Sequence, residues 1–266
     1  MTTQNVIFDD TWISKAQNES RDGSWARAVI DTFEQSGKTY LGIIKRWYDS
    51  YPHDTKEKKE LMIKLEHFSN VDHLGGANEL SWFEFMKHFN WQVTPVSEKV
   101  RHPDFHVTHP FEFYCEVSTL NLTGSEKTDI GGRINHEIPA SKILRKAIDE
   151  KIDQLKYAGD KQKPAVLVVF DYSSWSGYGT QRYMAIADTL LMFPDLPPAL
   201  SAFIYVDKGV NEKGKIVIYG ERSAVYHNPR ASLSLPSDLF DIFPQFHIEL
   251  KETKLKNNLH STWVLG

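Results

Sequence analysis

Cysteine is almost absent. Cys115 is the single one in 266 residues, so no intrachain disulfide can form, and its apolar strand neighbours make it a small core residue suited to a reducing cytoplasm. Long apolar runs are missing as well. No segment approaches the ~20 consecutive apolar residues of a membrane-spanning helix, so no membrane partner is expected. The first residues, Met1-Thr2-Thr3-Gln4-Asn5, have neither a basic start nor an apolar stretch of signal-peptide length, and the expected location is the cytoplasm. An excess of one charge sign is lacking: 31 Lys and Arg against 35 Asp and Glu give a formal net charge of −4, too small to suggest a bulk nucleic-acid coat, while leaving room for a local basic groove.

Several catalytic signatures are also missing. No Gly-Lys-Ser/Thr ending follows the glycine-containing stretch Ser174-Trp175-Ser176-Gly177-Tyr178-Gly179-Thr180, so nucleoside-triphosphate hydrolysis has no support. No serine sits in a Gly-x-Ser-x-Gly turn. His102, His106 and His109 cluster in sequence, but their spacing does not put three ligands on one strand face and no cysteine pair accompanies them, which argues against zinc. There is no internal repeat and no low-complexity tract.

What is present is an ordinary globular composition, 41% hydrophobic and 25% charged, in a chain long enough to bury a proper core. Residues 1–70 show helix-like apolar spacing in Tyr40–Trp47 and Leu61–Leu65, separated by turn chemistry at Pro52-His53-Asp54-Thr55, and read as a helical N-terminal region. From residue 71 to 266 the pattern is α/β. Gly75-Gly76-Ala77-Asn78 precedes a helix from about Glu79 to Phe89, a short strand near Trp91 to Thr94, and a hairpin from Asp104 to Thr119. Asn121 to Pro139 reads as a long loop and Ser141 to Tyr157 as a helix. The continuous apolar runs Ala165–Phe170 and Ala202–Val206 suit strands buried on both faces, with a helix near Arg182 to Met192 between them and one more strand at Lys215 to Tyr219. The part from about Ala231 is not assignable. The expected fold is a mixed central β-sheet flanked by helices.

Two carboxylates carry the most information. If the hairpin turns about Pro110, antiparallel pairing sets Asp104 opposite Glu116, roughly 5 Å apart. Acids that close repel, and the arrangement is expected where a hard cation such as Mg²⁺ sits between them. Strand alternation puts Glu112, Tyr114, Glu116 and Ser118 on one face and Phe111, Phe113, Cys115 and Val117 on the other. On the helix from Glu79, the stripe of Trp82, Phe83, Phe85, Met86 and Phe89 also contains Glu79, which either caps the helix or faces inward and needs a partner. On the helix from Ser141, the stripe of Ile143, Leu144, Ala147, Ile148, Ile152 and Leu155 is centred on Lys151, with Gln154 at its margin. A lysine inside an apolar stripe snorkels or finds an anion, and Lys151 is placed to reach the acids.

In order and spacing these residues resemble the PD-(D/E)xK nuclease superfamily, the restriction-endonuclease-like fold, over about residues 73–206: Asn78-Glu79-Leu80, Pro103-Asp104, Glu116-Val117-Ser118, and the helix carrying Lys151-Ile152-Asp153-Gln154-Leu155. The chain departs from the pattern at Ser118, which stands where the family has lysine; some members bring that lysine from the neighbouring helix, and Lys151 fits this variant. Gln154 and Tyr157 look like the family's Gln-x-x-x-Tyr helix motif with one residue fewer. The resemblance implies Mg²⁺ or Mn²⁺ held by Asp104, Glu116, the main-chain carbonyl of Val117 and Glu79, with Lys151 positioning the attacking water and Gln154 assisting. It implies hydrolysis of phosphodiesters in DNA, with RNA as the alternative, by endo- or exonucleolytic cutting. Arg133, Lys142, Arg145 and Lys146 would line a groove for nucleic acid, and the N-terminal helices could contact substrate or pair two copies as a homodimer. If Lys151 does not reach the acids, the expectation becomes an inactive nuclease-fold module that binds nucleic acid or a protein.

Overall fold

The computed structural model describes residues 6–52, 55–98, 100–120, 142, 145–171, 196–247, 252–254 and 262–266. The expected loop from Asn121 to Pro139, the helix near Arg182 to Met192, the stretch Ser174–Thr180 and Arg133 lie outside them. The chain forms two compact units, one of Met1–Phe85, Val210–Val217 and Val264–Gly266, the other of Met86–Gly209 and Ile218–Trp263.

The first unit is helical. Helix α1 (Asp10–Glu19) starts where the Asp9 carboxylate accepts the Trp12 N–H at 2.8 Å, and α2 (Trp25–Asp31) where Ser24 Oγ accepts the Arg27 N–H at 3.1 Å. A π-helical turn (Phe33–Gly37) leads into α3 (Lys38–Ser50), which buries Tyr40, Leu41, Ile43, Ile44, Trp47 and Tyr48 at the spacing legible in sequence. Helix α4 (Thr55–Glu66) and the long α5 (Asn70–His88) follow.

The Gly75-Gly76 pair is not a loop ahead of a helix starting at Glu79: it lies inside α5. Its reason is packing, since a Cβ on Gly76 would stand 3.2 Å from the Leu61 and Leu65 side chains of α4. His73 of α5 is fully buried and stacks on Trp25 with ring centroids 3.3 Å apart. Its Nδ1 faces the Leu65 carbonyl at 2.6 Å, which can only accept, so Nδ1 carries the proton and Nε2 accepts the Tyr40 hydroxyl at 2.7 Å. Burial pushes the Tyr40 hydroxyl pKa well up, keeping it a donor.

The π turn has a strict steric requirement. A Cβ on Gly37 would lie 2.1 Å from the main-chain oxygen of Val29. We expect Gly37→Ala to destabilise the protein by about 1–3 kcal/mol, read as a lowered thermal midpoint; an unchanged midpoint would mean that the Val29 carbonyl has room to move.

The second unit is built on a mixed sheet. Along its main path the strands run β1 (Gln92–Pro95), β2 (Phe105–His109), β3 (Phe113–Leu120), β4 (Ala165–Asp171), β5 (Ala202–Val210), β7 (Ala224–His227), β8 (Gln245–His247) and β9 (Glu252–Lys254); the remaining strands are β6 (Ile216–Tyr219) and β10 (Thr262–Leu265). Pairing is antiparallel for β1/β2, β2/β3, β5/β7 and β8/β9 and parallel for β3/β4, β4/β5 and β7/β8. The protein is therefore α/β with a mixed central sheet. Every residue of β4 is buried, which is why its sequence is an unbroken apolar run rather than an alternating one.

Helix α6 (Ile152–Asp160) covers one face of this sheet through Leu155, Tyr157 and Ala158, which share a core with Tyr114 of β3, Leu167 and Val169 of β4, and Phe203 and Tyr205 of β5. On β3 the other face is apolar as well: Cys115 is fully buried, and Phe113 packs edge-on against Trp91 and Phe240. α6 is shorter than the helix expected from Ser141, because a π-helical turn (Lys146–Glu150) interrupts it and Lys151 sits at the break, with φ −115° and ψ 6°.

Among the described residues no helix is long and apolar enough to cross a membrane.

Candidate active site

The β2/β3 hairpin sets the site. Phe105 pairs with Cys115, His106 with Tyr114 and Val107 with Phe113, and one step further along this ladder is Asp104 opposite Glu116. Asp104 lies just before β2 and is fixed at both ends: its main-chain carbonyl accepts the Val96 N–H at 2.9 Å, and its Oδ2 accepts the Val117 N–H at 2.7 Å. A short carboxylate bond to a main-chain donor costs no side-chain entropy on the donor side and holds the acid over the middle of β3.

Glu116 is 3% exposed, on the face covered by α6. A carboxylate that deep needs a partner, and the Lys151 ammonium is hydrogen-bonded to its Oε1. Burial by itself would lower the lysine pKa. The charge and hydrogen bond of Glu116, with the fields of Asp104 and Glu150, outweigh it and shift the net upward, so Lys151 is an ammonium at neutral pH. The structure thus gathers Asp104, Glu116 and Lys151 into one cluster. Lys151 arrives there for a different reason from the one its helical position suggested. It is not the centre of an uninterrupted helical stripe, because the π turn shifts the helical phase; it is the junction residue from which α6 starts.

The other expected residues fall as follows. Gln154 is one turn after Lys151, and among the described residues its Oε1 is buried without a hydrogen-bond partner. Val117 sits between Glu116 and Ser118 on β3 with its N–H committed to Asp104. Glu79 does not cap a helix, since α5 starts nine residues earlier at Asn70; its carboxylate accepts the Tyr51 hydroxyl at 2.8 Å and lies 3.9 Å from the Lys64 ammonium, all within the helical unit. Arg145 is exposed, but Lys146, expected to point outward, is only 17% exposed and bonds Glu150 at 3.1 Å. Lys142 is half-buried.

Two further polar groups were not anticipated. The loop between β1 and Asp104 is tied to α6: the Tyr157 hydroxyl donates to Glu98 at 2.5 Å, Lys161 lies 3.5 Å from the same carboxylate, and Arg101 reaches Asp153 at 3.1 Å. This brace links the segment carrying Asp104 to the helix carrying Lys151. A second pair of acids, Asp171 and Asp207, ends the runs of β4 and β5; both are buried, they are register partners, and the Tyr205 hydroxyl donates to Asp171. Leu167 is the register partner of Glu116, so Asp171 lies four residues beyond it, roughly 13 Å along the sheet. The sequence signal was available, an acid at the end of an apolar run. Lys208, also buried, stands over the Phe170 ring at 5.4 Å, and burial pushes its pKa down to about 7.

The outer acids give a testable pH response. The Tyr157 hydrogen bond, then Lys161, holds Glu98 below the usual glutamate range, and the Lys163 bond at 2.6 Å, then His106, does the same for Glu112. A carboxylate with a depressed folded pKa is stabilising above its unfolded value of about 4.3, and that contribution is lost as pH falls through the lower folded value. Thermal midpoints scanned downward from pH 5 should therefore fall less steeply in a Tyr157→Phe, Lys163→Met double variant than in the wild type. Parallel curves would mean that these contacts do not persist in solution.

Among the described residues no group of three or more His, Cys, Asp or Glu is placed to hold a metal ion. The carboxylate oxygens of the cluster are hard donors, as is the Val117 carbonyl that the resemblance adds to them. They suit a cation such as Mg²⁺, which keeps several waters and takes only one or two protein carboxylates, and they do not suit a soft or nitrogen-seeking metal. Comparison of the chain with protein-family models, curated proteins and solved structures finds no match to any of them.

Proposed function

We propose that this protein is a metal-dependent nuclease of the PD-(D/E)xK type, with a restriction-endonuclease-like fold, hydrolysing phosphodiester bonds in DNA. The observation that carries the reading is the Lys151 ammonium bonded to Glu116 beside Asp104, because it supplies from a helix the positive charge that Ser118 cannot supply from the strand.

Asp104, Glu116 and the Val117 carbonyl would hold Mg²⁺ or Mn²⁺. A divalent cation there would supply an acidified water and neutralise charge on the scissile phosphate. The Val117 N–H keeps Asp104 in a fixed rotamer, so the acid needs little reorganisation to act as a ligand. Lys151 carries a mobile positive charge that can orient the attacking water or stabilise charge developing on the phosphate. Gln154, one turn along and with its buried Oε1 lacking a hydrogen-bond partner among the described residues, is the next group able to hold a water or a phosphate-bound proton. Glu79, engaged by Tyr51 and Lys64, is given no step.

The competing reading is a catalytically inactive nuclease-fold module that binds nucleic acid or a protein. It is favoured by the absence, among the described residues, of a group of three metal-ligating side chains. The deciding experiment is a cleavage panel of plasmid, linear duplex, single-stranded DNA and RNA with Mg²⁺, Mn²⁺ or EDTA. EDTA-sensitive cutting that disappears in Asp104→Asn and Glu116→Gln establishes the nuclease; no cutting of any substrate, with no calorimetric Mn²⁺ binding, establishes the inactive module.

A further inference from the structure

We propose that Lys151 is the resident cation of the Asp104–Glu116 site: a divalent metal ion enters by displacing the ammonium, and the displaced ammonium is taken up by a phosphate of the substrate, so metal and nucleic acid bind cooperatively. This rests on the nuclease reading and adds a regulation of its site.

The argument starts from Glu116. Its side chain is 4% exposed and its Oε1 is occupied by Lys151, so the charge that a metal would balance is already balanced. An ammonium and a divalent ion cannot share that carboxylate oxygen, and within a few ångströms they repel. A metal that takes that oxygen therefore requires Lys151 to leave it.

Lys151 is built to do so. Its side chain is 24% exposed, in contrast to its partner, so a path to solvent exists. It hangs from the junction between the π turn and α6, and its flexible four-carbon stem can swing without unwinding either element. What it needs at the far end is an anion, and a substrate phosphate supplies one where the proposed reaction would put it. Each ligand then lowers the cost of binding the other, and the coupling must be reciprocal. Without nucleic acid the metal competes with a tethered charge.

The test is calorimetric titration of Ca²⁺, a hard oxygen-seeking probe, into the full chain with and without a saturating short DNA duplex, for wild type, Lys151→Met and Lys151→Arg. In the wild type the duplex should tighten Ca²⁺ binding by about tenfold or more, within the usual range of coupling between sites. Lys151→Met should bind Ca²⁺ alone about tenfold more tightly than wild type and gain correspondingly less from the duplex, whereas Lys151→Arg should retain the coupling. If Lys151→Met fails to fold, the wild-type and arginine arms still decide. Equal Ca²⁺ affinity with and without duplex in the wild type, or in the wild type and a folded Lys151→Met, overturns the exchange while leaving metal-dependent cleavage intact. Absence of Ca²⁺ and Mn²⁺ binding in every protein, with or without DNA, overturns the exchange and the nuclease reading together.

Discussion

Replacing Asp104 with Asn, Glu116 with Gln or Lys151 with Met should each reduce Mg²⁺-dependent cleavage of DNA by at least about 10²-fold, the scale on which a single preorganised charge-stabilising group acts. The three should not multiply. Asp104 and Glu116 would serve one cation, so the Asp104→Asn, Glu116→Gln double variant should be little worse than the poorer single one. Lys151→Met differs in kind: it leaves both acids in place and removes the charge that acts on water or phosphate. Its loss should appear in kcat rather than in the metal concentration needed for half-maximal rate. Single-turnover rates measured across a Mg²⁺ series separate the two behaviours. A Lys151→Met enzyme with wild-type kcat would remove Lys151 from the mechanism and return attention to Gln154.

The second large effect is on stability. Lys151→Met leaves the carboxylate of Glu116 buried and uncompensated, and breaking a buried pair from one side typically costs 3–5 kcal/mol. With Lys151 24% exposed, the low end, about 3 kcal/mol, is expected in chemical denaturation at neutral pH. Glu116→Gln alone should cost less, because the remaining ammonium can reach water. The double variant Glu116→Gln, Lys151→Met should recover part of the loss, giving a positive coupling energy in the cycle. The pH sign follows from the lysine. Its folded pKa is raised above the unfolded value of about 10.4, so the pair's contribution is fully present below that value and is lost only as pH rises through the higher folded one. A null coupling energy would mean that the two side chains do not meet in solution.

Much of the second unit was legible because its rules are short-range. Pro110 and the alternation of Phe113, Cys115 and their neighbours set the hairpin register, and that register alone puts Asp104 opposite Glu116. The apolar runs from Ala165 and Ala202 give β4 and β5 because parallel strands buried on both faces have no polar side to display. The amphipathic stripe of α3 was equally plain, whereas the end of α5 is buried nearly all round, Leu80 and Ser81 as well as the expected Trp82, Phe83, Phe85 and Met86.

What failed, failed where distant parts of the chain decide. Gly75-Gly76 carries local loop chemistry, yet it is helical because α4 must approach closely at Gly76. Helices α1 and α2 lie in the region read as helical, but their bounds were not assigned; they are held by partners far along the chain: the Trp12 indole N–H donates to the Glu66 carbonyl at 2.9 Å, and that of Trp25 to the His67 carbonyl at 2.8 Å. Strands β7 to β9 are three or four residues long, too short for any period to register.

At the candidate site the division is sharper. Sequence by itself determined the kinds of residue and the pairing of the two acids, since both follow from strand alternation and a turn. Sequence also named Lys151 as the lysine that reaches them; tertiary structure decided how it arrives. A helical wheel could bring Lys151 to an apolar face but could not see the π turn that breaks the helix beneath it, nor that Glu116 would be buried deeply enough to require its charge. Those depend on the depth of the sheet face under α6, a property of the packed chain and not of any segment within it.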